Sequence, residues 1–508
     1  VNFRAVKRDG MRANLLAGLV SSVWSAGVGI AVVPLYLKYL GLEAYGLIGI
    51  FATAQSLFSL LDLGLAPAMN REVARSMAED NLRPARELLH TLSLVYWTTG
   101  IAIALLAVLA APLVAQHWLQ FKHLSASTVT NALMLMGCVV ACRWPIGLYL
   151  GTIIGAQRVT VSSGITIVMS TASNLGAVAI LAWVSQRIEA FFLWQAVVGI
   201  VYALAMRIGA WNAIGREYAV AFSVPALTRI WRFSAGISAI AVSALILTQI
   251  DKVVMSHMLT LSEFGQYSLA TVVVSGLYLF INPTFNVIFP KFTALVVSGD
   301  TVRLADLYRW GTRLFTIALF PLFMLLAVFA QDLVRVWTGN AGLAANVATV
   351  IALLATGAAL HGVMYFSYAL QLAHGTTRLP LTINLVLVAL AAPLMTALAW
   401  RYGIKGGAAA VLLLYLSYLL IGTWLTHRLL LKSIGVAWLC RDVGAPFAVV
   451  LIVGTLGHVV LAGANCTDLQ KVGLALAMLL GAWAFSIGVA PRSTLPRLMR
   501  LLHVPTRN

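Results

Sequence analysis

The sequence predicts an all-α polytopic membrane protein of about fourteen transmembrane helices. Three observations lead there. Apolar runs of about 20 residues, each long enough to cross ~30 Å of hydrocarbon, recur along the whole chain. Of the 508 residues, 61% are hydrophobic and only 10% are charged, against about 25% charged in soluble domains, and the mean hydropathy is +0.92. The basic residues also alternate from one inter-span segment to the next. Runs of this kind must be helical, because lipid offers no partner for unpaired backbone N–H and C=O groups.

The first apolar run, 14–37, follows the basic segment Arg4, Lys7, Arg8 and Arg12. Basic-then-apolar order resembles a signal peptide, but the run is long and no small-residue cleavage site precedes a soluble domain, so it reads as a retained helix. The spans that follow are 45–69, 89–115, 128–151, 160–184 and 190–212. A polar stretch then intervenes, and spans 233–257, 265–288, 311–331, 344–372, 380–400 and 406–427 succeed it. Spans 444–463 and 471–490 complete the set.

With the beginning of the chain placed inside, twenty-five of the 34 Lys and Arg residues fall on inside segments or inner span ends and seven on outside segments or outer span ends; Arg143 and Lys252 lie deeper within spans. This bias places both termini in the cytoplasm. The net charge of +18 is therefore read as topology, and no nucleic-acid partner is expected. Trp118, Trp183, Trp231, Trp310, Trp337, Trp400 and Trp438 fall near span ends, as an interfacial aromatic belt requires. Cys138, Cys142, Cys440 and Cys466 show no ligand-like spacing and read as packing residues.

No connection exceeds roughly 20–25 residues, so no extramembrane domain is available for an active site. No P-loop, HExxH, Gly-x-Ser-x-Gly or Cys/His zinc pattern is present. No cofactor or metal is expected, and a transporter is favoured over an enzyme. A polytopic enzyme is the competing class, but it would call for a long outer loop.

An internal repeat organises the spans. "LGLEAYGLIGIFATAQSL" (40–57) follows the first span and "LTLSEFGQYSLATVVVSGL" (259–277) follows the seventh, with Tyr45-Gly46 opposite Phe264-Gly265. Each pair is expected in a tight outer turn, its glycine supplying positive φ. A shift of six helices preserves orientation, which predicts two parallel six-helix lobes around a central cavity. The resulting division is an N-lobe 1–212, a cytoplasmic linker 213–232, a C-lobe 233–430, and 431–508 holding two further helices and a basic tail. Those last helices are open to packing, a lipid groove, or docking of a partner.

The segments "NLLAGLVSSVWSAGVGIAVVPLYLKYLGLEAYGL", "QSLFSLLDLGLAPAMNREVAR" and "TQIDKVVMSHMLTLSEFGQYSLA" resemble Wzx-type polysaccharide and O-antigen flippases of the multidrug/oligosaccharidyl-lipid/polysaccharide (MOP) exporter superfamily. The resemblance is strongest over 14–75 and 233–290. It implies a bacterial inner-membrane protein that carries undecaprenyl-pyrophosphate-linked oligosaccharide to the outer leaflet by alternating access, within membrane lipid, for O-antigen or exopolysaccharide synthesis. The arginine-rich first span of lipid II flippases is absent here, and so is the first-span acid of cation-coupled drug exporters. A drug antiporter nevertheless stays as the alternative, with Asp62 as its available carboxylate. A polysaccharide polymerase or ligase of the same pathway is the enzymatic alternative, disfavoured by the lack of a long outer loop. A polysaccharide polymerase is also the partner that the resemblance implies for the last two helices.

Intramembrane ionisable residues are costly and so mark candidate sites. Arg143, just before Pro145, can grip diphosphate oxygens with a planar fork or serve packing by pairing with a carboxylate or carbonyl; Pro145 is expected to kink the span. Gln249, Asp251 and Lys252 on the seventh span, and Arg207 and Arg313 near inner helix ends, complete the expected cavity lining. Asp62, Arg71, His361 and Asn282 are the candidates for coupling or gating; for Asp62, locking a helix end is the alternative role.

Overall fold

The computed structural model describes residues 3–62, 64–215, 222–462 and 467–489. The chain divides into two compact units, Val1–Gly265 and Gln266–Asn508. Among the described residues every one of the fourteen expected spans is occupied by helix, and the sole β-type pairing is an isolated bridge between Gln120 and Thr260.

The first unit holds α1 (Phe3–Ala31), α2 (Val33–Phe58), a 3-10 turn at Ser59–Asp62, α3 (Leu65–Ala78), α4 (Arg83–His117) and α5 (Ala126–Arg143). It continues with α6 (Ile146–Gly155), α7 (Val159–Trp183), α8 (Ile188–Ile214), α9 (Val224–Met258) and the start of α10 (Leu261–Ser275). The second unit carries the rest of α10, then α11 (Tyr278–Val297), α12 (Thr301–Val328), α13 (Ala330–Thr338), α14 (Ala341–Ala373) and α15 (Arg378–Ser417). A π-helical turn at Tyr418–Gly422, α16 (Thr423–Leu430), α17 (Val436–Trp438), a second π turn at Leu439–Gly444, α18 (Ala445–Ala462) and α19 (Asp468–Val489) complete it.

Among the described residues eleven helical segments are long and apolar enough to cross a membrane, and the protein is a multi-pass membrane protein. One of these, Arg378–Leu430, has 53 residues. As a straight helix it would be ~80 Å long, far more than a bilayer needs. Gly403, at φ 57° and ψ −137°, divides it into the two passes expected from 380–400 and 406–427. Pro145 acts as expected: the fourth span is two helices, α5 ending at Arg143 and α6 opening at Ile146.

The repeat glycines do not act as expected. The turn after the first span is made by Gly41, at φ 79° and ψ 173°, while Gly46 and Gly265 lie inside helices and take no positive φ. Their role is close approach. A Cβ on Gly46 would stand 2.2 Å from the Leu261 carbonyl oxygen, and one on Gly265 would stand 2.4 Å from that of Leu42. Each repeat copy thus presses its glycine against the backbone of the other copy's first turn. Nearby, the Glu43 carboxylate accepts backbone N–H groups of Lys122 at 2.6 Å and His123 at 2.9 Å, fixing the α4–α5 connection. Thr260 and Glu263 cap α10 reciprocally, Thr260 N–H to Glu263 Oε2 at 2.9 Å and Glu263 N–H to Thr260 Oγ1 at 3.3 Å.

Small hydroxyl residues join α1 to α7. Ser21 meets Ser163 at 3.4 Å, Ser25 Oγ donates to Ser170 Oγ at 3.1 Å, and the Trp24 indole donates to Thr171 Oγ1 at 2.8 Å. Such contacts hold helices together where lipid removes the hydrophobic drive. In the second unit, helix ends are capped by Asp300 onto the Arg303 N–H at 2.9 Å and by Asn340 onto the Leu343 N–H at 3.0 Å.

Of the tryptophans expected at span ends, Trp183 and Trp400 are more than four-fifths exposed, whereas Trp438 is buried. Its ring packs 5.4 Å from Tyr308 and 5.1 Å from His427, because the short α17 turns it inward. The Trp231 side chain lies outside the described residues, as do Cys466, residues 216–221 of the expected linker, and the tail from 490 onward.

Candidate functional site

A cavity of about 560 Å³ opens within the first unit, lined by Asp62, Tyr96, Arg143, Asn174 and Tyr202 among others. That volume falls in the range of small-ligand sites. The chain builds it from the break in the fourth span. Because Pro145 cannot continue the helix ladder, α5 ends with Arg143 at the cavity wall.

Three helices hold the Arg143 side chain. Its Nη2 donates to Ser173 Oγ on α7 at 3.2 Å and to Gln195 Oε1 on α8. Its guanidinium carbon lies 5.6 Å from the centre of the Phe51 ring on α2. Gln195 is itself fixed: Ser173 Oγ donates to its Oε1 at 2.6 Å, and its Nε2 donates to the Ser173 carbonyl at 3.2 Å. The amide oxygen is therefore aimed at the arginine. These hydrogen-bond partners are neutral, so they orient the guanidinium without cancelling its charge. Its buried Nε has no hydrogen-bond partner among the described residues.

Asp62 closes the 3-10 turn beside the same cavity. One carboxylate oxygen accepts the Tyr96 hydroxyl, and the other accepts the Ala66 backbone N–H at 3.3 Å. Asp62 therefore caps the first turn of α3, where the helix dipole favours an anion. The cavity joins a fixed cation, a capping carboxylate, amides and phenols. This set can bind and orient a polar anion; among the described residues no group of three His, Cys, Asp or Glu could hold a metal.

The other sequence candidates lie elsewhere. On α9, Lys252 Nζ donates to the Thr248 carbonyl at 3.1 Å and meets Asp251 Oδ1 at 3.3 Å, so the adjacent pair does engage, with Gln249 half-buried nearby. Arg207 on α8 and Arg71 on α3 are exposed. In the second unit, Arg313 is committed to Asp442: its Nη2 lies 2.6 Å and its Nε 3.1 Å from Oδ1, while Arg309 Nε lies 3.3 Å from Oδ2. His361 is buried, its Nδ1 3.0 Å from the Tyr278 hydroxyl and its ring stacked 4.3 Å from Tyr415. Asn282 is exposed on α11.

Sequence reasoning brings Arg143 and Asp62 forward but misses Tyr96, Ser173, Gln195 and Asp442. For Asp442 a signal existed: Arg309 and Arg313 are four apart, so they present two cations on one helix face. For the neutral partners of Arg143 there was none.

A sequence model of the family described as polysaccharide biosynthesis protein matches residues 11–296. No curated protein matches the chain in sequence. Among solved structures, the lipid II flippase MurJ in an inward closed conformation is similar at a TM-score of 0.71 and 13% identity, covering 95% of this chain and 100% of that one. An inward-facing multidrug resistance MATE family transporter of the MOP superfamily gives 0.65 at 13% identity, covering 82% and 99%. The MATE multidrug transporter DinF-BH gives 0.61 at 12% identity, covering 84% and 97%. At these identities the likeness shows a shared fold.

Proposed function

The chain belongs to the polysaccharide biosynthesis protein family, with the fold of MOP-superfamily transporters, and from that premise we propose that it flips undecaprenyl-pyrophosphate-linked oligosaccharide across the bacterial inner membrane. It works by alternating access, with both termini cytoplasmic, and supplies surface polysaccharide synthesis such as O-antigen or exopolysaccharide. The observation that carries the reading is Arg143. A guanidinium held by neutral partners, with a spare buried donor and a cavity before it, suits a diphosphate, whose oxygens accept planar paired hydrogen bonds. The polyprenyl tail stays in lipid, so only the polar head needs this shelter.

The test is to measure lipid-linked intermediates in a deletion strain complemented by the wild-type chain or by Arg143→Ala. Accumulation of a complete lipid-linked repeat on the cytoplasmic face, relieved by wild type and not by the variant, is expected. Reconstituted protein that moves the glycolipid no faster than empty liposomes would sink the proposal. Asp62 in the same cavity favours one second reading, a cation-coupled drug antiporter. That reading expects drug susceptibility in the deletion strain with no accumulated glycolipid.

A further inference from the structure

The second unit carries a face that the cationic cavity does not account for. On α11, Asn282, Phe285, Asn286 and Phe289 recur at intervals of three and four, so they share one side of the helix. This helix is among the segments apolar enough to span a membrane. Its far side presents Phe280 and Val287, both exposed, as a lipid-facing side should. Yet Asn282 and Asn286 are also exposed. An amide left to hydrocarbon loses its hydrogen bonds at considerable cost, so this side meets water or a polar ligand.

Aromatic rings surround the two amides. Phe285 stacks on Phe289, centroids 5.7 Å apart at an interplanar angle of 2°, and on Tyr368 of α14 at 5.6 Å and 25°. It meets Tyr365 edge-on at 5.7 Å and 90°. Tyr365 in turn packs 5.2 Å from His361, which the Tyr278 hydroxyl holds in place. Two spanning helices thus hold a preset patch of rings, half-buried and bordered by exposed amides.

We propose that this face of α11 and α14 binds sugar rings, through stacking on Phe285 and Tyr368 and hydrogen bonds to Asn282 and Asn286. A pyranose offers an apolar C–H face to an aromatic ring and hydroxyl pairs to an amide, which can donate and accept at once. None of the residues forming the patch is cationic, which disfavours a phosphate as its ligand. The proposal rests on the reading that the substrate carries a glycan, and it assigns that glycan's recognition to the second unit.

The experiment uses the full-length chain in lipid nanodiscs and two probes: undecaprenyl diphosphate, bare or carrying an N-acetylhexosamine-initiated trisaccharide. Wild type should bind the glycosylated probe about tenfold more tightly, the size expected of one or two added stacking contacts. Phe285→Leu with Tyr368→Leu should abolish that preference and leave the bare-probe affinity unchanged, which also reports that the variant is folded. Asn282→Leu, at an exposed position, should weaken only the glycosylated probe and keeps the test open if the double variant does not fold. Equal binding of both probes by wild type, or a preference that survives the variants, overturns the sugar face while leaving the lipid-linked reading intact. Binding of neither probe overturns both.

Discussion

Asp442 offers the most quantitative test of how the second unit is held together. Its side chain is 1% exposed, whereas those of Arg313 and Arg309 are 32% and 45% exposed. Removing one partner of a fully buried ion pair costs about 3–5 kcal/mol, while exposed pairs contribute about 0–1 kcal/mol. With a buried anion and half-exposed cations, Arg313→Ala should cost about 2–3 kcal/mol. Arg309→Ala, which removes a longer and more exposed bond, should cost about 1 kcal/mol. The double variant leaves the buried carboxylate without either cation, so its cost should exceed the sum of the singles. The readout is thiol labelling of Val443→Cys, a site 3% exposed, in a background with Cys138, Cys142, Cys440 and Cys466 replaced. Labelling then reports local opening of the π turn, and about 2.8 kcal/mol corresponds to roughly a hundredfold faster reaction. Adding Asp442→Leu to the double variant should slow labelling again by removing the stranded charge. Wild-type labelling rates in Arg313→Ala, or a double variant no worse than the sum, would refute the reasoning.

Other outcomes follow from the same geometry. Gly46→Ala and Gly265→Ala place a methyl group against a backbone carbonyl and should each destabilise by about 1–3 kcal/mol, read as lost thermal stability in detergent. Gly27→Ala, with open space around it, should be neutral in that assay. Gln195→Leu removes the acceptor that aims Arg143 and should lower transport about as far as Arg143→Ala, whereas Gln195→Glu should neutralise the cation and weaken diphosphate binding measured directly. Tyr96→Phe deletes a hydrogen bond to the Asp62 carboxylate and should cost about 1–2 kcal/mol in the same thermal assay.

The spans were legible in the sequence because each is decided locally, by some 20 consecutive residues and the bilayer's thickness. The break at Pro145 was legible for the same reason, since one ring removes one N–H. The repeat was legible as a pattern but not in its physics. Tyr45-Gly46 and Phe264-Gly265 mark helix contacts, and the turn belongs to Gly41 five residues earlier, because a glycine reads alike whether it serves φ or proximity. The site was half legible. A lone arginine in an apolar span announces itself, whereas Ser173 and Gln195 lie 30 and 52 residues away and look like any polar residue in a bundle. Tyr96 is hidden likewise, 34 residues from Asp62.

The hydroxyl seam between α1 and α7 bears on how the chain is made. Ser21, Ser25 and Trp24 meet partners 142, 145 and 147 residues later. At ribosomal speeds of about 5–20 residues per second, those partners emerge roughly seven to thirty seconds afterwards. During that interval the leading helix must reside in the bilayer with its seam unfilled. Ser21 and Ser22 both donate to the Gly18 carbonyl, at 3.0 and 2.9 Å, so their protons are occupied within the helix itself. The Ser25 hydroxyl and the Trp24 indole make no such bond within α1 among the described residues; both donate across the seam, to Ser170 and Thr171. The seam therefore sets an order of assembly: insertion first, with the Ser25 and Trp24 donors left to find their partners on α7, and docking only when the fifth span arrives.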